Sequence, residues 1–163
     1  MVLRRRRRRA EHWVLAGFLV ACYAIGVFAA SFSPGTWFEL IAKPAWTPPV
    51  VLLGPVWAVL YTLMGLAAWL VWRQRVHRLR WPALALFTLQ LALNAAWSWA
   101  FFGRHEIGWA LLDLLGLWLV LGITVAVFYR VSHMAGSLMV PYLAWVSFAL
   151  AVNLEIWRLN QPL

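Results

Sequence analysis

Apolar residues along this chain fall in five long runs, divided by short segments that hold most of its charge and its turn formers. A helix rises 1.5 Å per residue, so about twenty apolar residues cross the hydrocarbon core of a bilayer. The runs at residues 13–32, 54–72, 81–102, 107–129 and 137–159 meet that length and predict five transmembrane helices. Pro55, Pro82 and Pro141 fall near the starts of three of them. There the missing N–H would have had no helical partner, so each is expected in a first turn. A barrel would need strands of about ten residues with alternating polarity, and these runs are twice that length. The expected fold is an all-α membrane protein, a five-transmembrane-helix bundle.

One segment fits neither an apolar helix nor a polar connector. Residues 37–49, between the first two spans, place Pro44, Pro48 and Pro49 beside Trp37, Phe38, Leu40, Ile41 and Trp46. Proline fixes φ and lacks a donor, so helix cannot run through this stretch. A stiff, apolar loop is expected to fold back as a lid on the end of the bundle. The alternative is a connector whose tryptophans anchor at the lipid headgroups.

Composition agrees with a membrane protein. Hydrophobic residues make up 64% and charged residues 12% of the 163, where a soluble domain would be about one quarter charged. The length suits one domain, read as a basic segment at 1–12 and a membrane domain at 13–163. The net charge of +9 would point to nucleic acid on a soluble protein. Here the arginines sit beside apolar runs, so a lipid bilayer and no nucleic acid is the expected partner. Basic residues concentrate at 4–9, at Arg73, Arg75, Arg78 and Arg80, and at Arg130, against Lys43, Arg104 and Arg158 on the other side. That bias predicts a cytoplasmic N-terminus if the membrane is an inner one. The basic start and first apolar run mimic a signal peptide. The run is long and has no marked cleavage site, so a retained span is expected. The lone Cys22 cannot form an internal disulfide and reads as a small buried apolar residue.

Polar groups inside the spans mark helix contacts or a site. Gln90, Asn94 and Ser98 are four apart, hence on one helical face. Asp113, Asn153 and Glu155 are further polar positions, and either acid could pair with Arg104 or Arg158 or stay protonated. Ala92, Ala96 and Ala100 form a small-residue row suited to an internal helix contact or a homodimer seam. Of 13 tryptophans, Trp13, Trp72, Trp81, Trp109 and Trp157 suit interfacial belts. Trp57, Tyr61, Trp97, Trp99, Trp118 and Trp145 lie deeper. Trp57 with Tyr61, and Trp145 with Ala149, share faces at i, i+4. Aromatic walls with a small residue between them make a slot for a flat apolar ligand, with Asn94 or Gln90 as polar handle. Ordinary bundle packing explains the same residues. His12, His77, His105 and His133 all fall at span ends or in connectors. No nucleophile–base pair, paired carboxylates or metal cluster is visible, so dark acid–base or metal catalysis has no support.

These residues together resemble the tryptophan-rich sensory protein family, also called the translocator protein or peripheral benzodiazepine receptor family. The resemblance rests on Trp37-Phe38, Lys43-Pro44-Ala45-Trp46-Thr47-Pro48-Pro49, Gly54-Pro55-Val56-Trp57 with Tyr61, and Gln90, Asn94, Trp97-Ser98 and Phe101-Phe102-Gly103. It continues through Asp113, Val140-Pro141-Tyr142, Trp145, Asn153 and Arg158-Leu159-Asn160. It implies a five-helix bundle, usually homodimeric, whose first connector closes a pocket. It also implies a tetrapyrrole such as protoporphyrin IX as ligand, with no required cofactor. Pocket residues carried over by motif are Phe38, Trp46, Pro48, Trp57, Tyr61, Asn94, Trp97, Trp145 and Ala149. Trp145 matches the tryptophan implicated in light-dependent porphyrin breakdown. Phe38 stands where tyrosine is common in the family, which removes a hydroxyl. The end of the fifth span lacks the tyrosine of a sterol-recognition pattern, so that stretch says nothing for or against a sterol. The functions implied are a membrane receptor or sensor, light-dependent porphyrin breakdown at most as an activity, or a porphyrin or lipid transporter. Carriers often show repeats and broken helices, and neither is seen in the sequence.

Overall fold

The computed structural model describes residues 2–32 and 34–161, with residues 2–10 as backbone only. Helix α1 is Val2–Ala30, α2 Gly35–Leu40, α3 Val50–Arg73, α4 Arg80–Ser98, α5 Ile107–Val131 and α6 His133–Leu159. A π-helical turn, Trp99–Gly103, extends α4. All five expected spans are present as helices long and apolar enough to cross a bilayer, and no strand occurs among the described residues. Helices α3 to α6 form the body of the bundle, with α5 packed chiefly on α4 and α6. Helix α1 leans on α3 and, over its described side chains, is little buried. Their close approach needs Gly65, where an added Cβ would lie 2.7 Å from the Leu19 side chain and 3.3 Å from its Cα.

Several boundaries depart from the sequence reading, each for a local reason. Helix α3 starts right after Pro49, so Pro55 sits within the helix and not in its first turn. Helix α6 starts at His133, which places Pro141 in its interior too. Each proline removes one backbone hydrogen bond, and both helices continue through it. The expected turn at 130–136 shrinks to Ser132, whose Oγ accepts from the Ala135 N–H at 3.4 Å and caps α6. Ahead of the first proline, residues 35–40 coil into α2, so the lid begins with a short helix.

The polar face of α4 points inward: Gln90, Asn94 and Ser98 are all buried. Asn94 lies between two hydroxyls. Tyr61 donates to its Oδ1 at 3.0 Å, and its Nδ2 donates to the Tyr142 oxygen at 3.1 Å, which joins α3, α4 and α6. Asn94→Leu would leave two buried hydroxyls without those partners, at an expected cost of about 1–3 kcal/mol. Thermal unfolding followed by tryptophan fluorescence should show a lowered midpoint. Of the two acids, Glu155 approaches Arg158 at 3.7 Å. Asp113 pairs with neither arginine, and its Oδ2 is buried without a hydrogen-bond partner among the described residues.

Candidate ligand-binding cavity

The lid is shaped by contacts within itself and fastened to the bundle by two kinds of contact, a pair of hydrogen bonds and aromatic packing. The Lys43 ammonium donates to the carbonyls of Phe38, Glu39 and Ile41 and so closes the C-terminus of α2. Cations favour that end of a helix. Pro44 then turns the chain, its carbonyl accepting from the Thr47 N–H at 3.0 Å and the Thr47 hydroxyl at 2.8 Å. The Asn160 side chain, just past α6, pairs with the Ala42 backbone on both sides. It accepts from the N–H at 3.1 Å and donates to the carbonyl at 2.9 Å. Trp37 stacks on His105 with ring centres 4.2 Å apart, and Phe38 is buried against Phe101 and Phe102. The lid is therefore a folded part of the protein with a defined underside.

Beneath it lies a cavity of about 90 Å³. Phe38 and Pro48 come from the lid, Trp57 from α3, Trp97 from α4, and Trp145 and Ala149 from α6. The side chains hold one another in place by stacking. Trp57 lies on Tyr61 at 5.2 Å and 26°, and Trp97 lies on Phe101 at 5.4 Å and 22°. The Trp97 indole N–H also donates to Asn153 Oδ1 at 3.0 Å, while Asn153 Nδ2 donates to the Ile107 carbonyl at 3.3 Å. A wider crevice of about 430 Å³ opens between α1 and α3 and shares Leu53, Trp57, Trp97 and Phe102 with the first cavity.

The structure thus brings six of the nine sequence-derived residues to one cavity. Tyr61 lines the neighbouring crevice instead. Asn94 lines neither, because its side chain is used up between Tyr61 and Tyr142. Gln90 is fully buried away from both cavities, with no hydrogen-bond partner among the described residues. Neither serves as the expected polar handle; the polar side chains on the lining are Thr47 and Asn153, and Asn153 is already engaged by Trp97 and Ile107. Trp46 packs on the outer side of Phe148 at 5.7 Å and is 49% exposed. It therefore lines neither cavity. Lining residues not foreseen are Thr47 in the lid, Leu53 on α3, Phe101 and Phe102 at the π turn, and Phe148, Val152, Asn153 and Ile156 on α6. Asn153 stands four residues after Ala149, so helical spacing from Trp145 and Ala149 could have found it.

Rings stacked on rings, with little polar lining, suit non-covalent binding of a flat apolar molecule. Fold and site together define a multi-pass membrane protein with a lidded aromatic cavity. The TspO/MBR family model matches residues 18–158. The chain is 40% identical to the human translocator protein over 158 residues, 93% of either chain. It is 38% identical to protein CrtK of Rhodobacter capsulatus, over 90% of this chain and 92% of that one. It is 38% identical to the tryptophan-rich sensory protein of Cereibacter sphaeroides, over 88% of this chain and 89% of that one. The chain belongs to the TspO/MBR family.

Proposed function

We propose that this protein is a membrane receptor or sensor that binds a tetrapyrrole of the protoporphyrin IX type beneath its lid. The observation that carries the reading is the convergence of Phe38, Trp57, Trp97 and Trp145 from four separate segments on one lidded cavity. A porphyrin is flat and apolar on both faces, so parallel and edge-on rings give it more contact than aliphatic walls of equal area. Drug-sized ligands take pockets of roughly 300–1,000 Å³, so the lid or the Trp57–Trp97 wall moves to admit one. Titrating protoporphyrin IX into the detergent-purified protein should quench tryptophan fluorescence with saturation at one ligand per chain. A linear, unsaturable signal would contradict the reading.

Trp145 is the residue proposed to support light-dependent breakdown of the bound ring, with dissolved oxygen as oxidant. Its side chain lines the cavity and packs against Phe148, another lining residue, at 5.7 Å. Under illumination the Soret band of bound porphyrin should fade several-fold faster with the native protein than with Trp145→Phe. Equal rates would leave binding alone.

The arginine-rich end, which carries the α3–α4 connector, is the proposed cytoplasmic side. A homodimer is proposed on the outer face of α4, where Ala85, Thr88 and Ala92 are exposed. The alanine row does not serve as one outer stripe, because Ala96 is half-buried and Ala100 packs beneath the lid.

A further inference from the structure

At the end of the bundle opposite the lid, α3 runs out at Arg73 and α4 begins at Arg80. The connector is folded on itself. The Arg75 N–H donates to the Arg73 carbonyl at 2.9 Å, the His77 N–H to Gln74 at 3.1 Å and the Arg80 N–H to His77 at 3.0 Å. On this scaffold the arginines lie on tryptophan rings. Arg73 sits 4.6 Å over Trp69, Arg75 and Arg80 each sit 5.4 Å from Trp72, and Arg80 sits 4.6 Å over Trp81. Stacking occupies the flat face of a guanidinium and leaves its N–H edge free to meet an anion. The Nε of Arg80 is buried with no hydrogen-bond partner among the described residues.

Little at this end offsets the charge. Glu11 is the only acidic residue that the sequence and topology place there, and it engages Arg73 at 3.8 Å. Near the lid, by contrast, Glu39, Glu106 and Glu155 accompany Lys43, Arg104 and Arg158. Helix α4 adds the positive end of its dipole, since Leu79 at its N-cap provides no side-chain hydrogen bond. We infer that the α3–α4 connector is a binding site for the phosphate headgroup of an anionic phospholipid in the surrounding leaflet. Arg75 and Arg80, both beside Trp72, would hold the phosphate, with Arg78 in the same connector. The occupant is a lipid because the arginines are pinned to an interfacial tryptophan belt. Trp81 is 67% exposed beside them, where an acyl chain would lie.

Native mass spectrometry of the whole protein in neutral maltoside tests this, with dioleoyl phosphatidylglycerol, dioleoyl phosphatidylcholine or inorganic phosphate added. One phosphatidylglycerol per chain should be retained, at least tenfold more tightly than phosphatidylcholine. Arg75→Gln with Arg80→Gln should weaken it about 30-fold, roughly fivefold for each arginine. Arg104→Gln with Arg158→Gln removes the same charge at the other end and should change it less than twofold. Arg75→Gln with Arg78→Gln spares the partly buried Arg80 and should still weaken retention, so a misfolded first variant would not leave the question open. Equal losses for both ends, or equal retention of the two lipids, would overturn the assignment. Inorganic phosphate competing as well as the lipid would overturn the lipid as occupant.

Discussion

Replacing Trp57 and Trp145 together by alanine is expected to weaken protoporphyrin IX binding by about 100-fold or more. The two rings come from α3 and α6 and face the cavity beneath the lid. Truncating a buried aromatic anchor at a binding site removes about 2 kcal/mol or more, and two such anchors act on the same flat ligand. Each ring also supports the bundle. Trp57 lies on Tyr61 and meets the Tyr142 ring edge-on at 6.0 Å, so its loss also strips cover from the Asn94 network. Trp57→Phe with Trp145→Phe keeps that cover while narrowing both walls, and should weaken binding about tenfold or less. Trp99→Ala and Trp109→Ala, whose side chains are exposed and line neither cavity, should leave the dissociation constant unchanged. Saturable quenching by the purified proteins gives the constants, and thermal unfolding confirms the fold. A double-alanine variant that folds and binds within threefold of the native protein would place the ligand elsewhere.

What the sequence made legible follows from which interactions are periodic. Span number came from run length, because a bilayer imposes one thickness on every helix. The inward face of α4 came from i, i+4 spacing of Gln90, Asn94 and Ser98, because a polar group in hydrocarbon must turn inward. The same logic misjudged what those groups do there. Periodicity says that Asn94 is inside, but not that two tyrosines already use it. The boundaries at Val50 and His133 were hidden because apolar runs are delimited by polarity, and a helix can extend past them while its backbone bonds persist. Phe101 was within reach, four residues after Trp97 and stacked on it, whereas the π turn at Trp99–Gly103 takes Phe102 off a 3.6-residue register. Trp46 was misplaced for a similar reason: the direction of a side chain in a proline turn depends on dihedrals that residue identity does not give.

Asn160→Ala is expected to speed porphyrin release about tenfold while affecting the equilibrium constant much less. The cavity of about 90 Å³ is smaller than a drug-sized ligand needs, so binding and release require the site to widen, and lid opening is the proposed way. Opening the lid breaks both hydrogen bonds between Asn160 and Ala42. Each is worth about 0.5–1.5 kcal/mol net in a partly solvated setting, and alanine removes both from the closed state without touching the cavity lining. A lid that opens more often admits ligand faster as well as releasing it faster, which is why the two rates rise together. Asn160→Asp separates the two bonds: it keeps the acceptor for the Ala42 N–H, loses the donor to its carbonyl, and should fall between native and alanine. Stopped-flow recovery of tryptophan fluorescence on dilution reports release, and mixing reports uptake. Release at the native rate in Asn160→Ala would mean that the ligand leaves by parting Trp57 from Trp97 into the α1–α3 crevice, with the lid acting as a fixed wall.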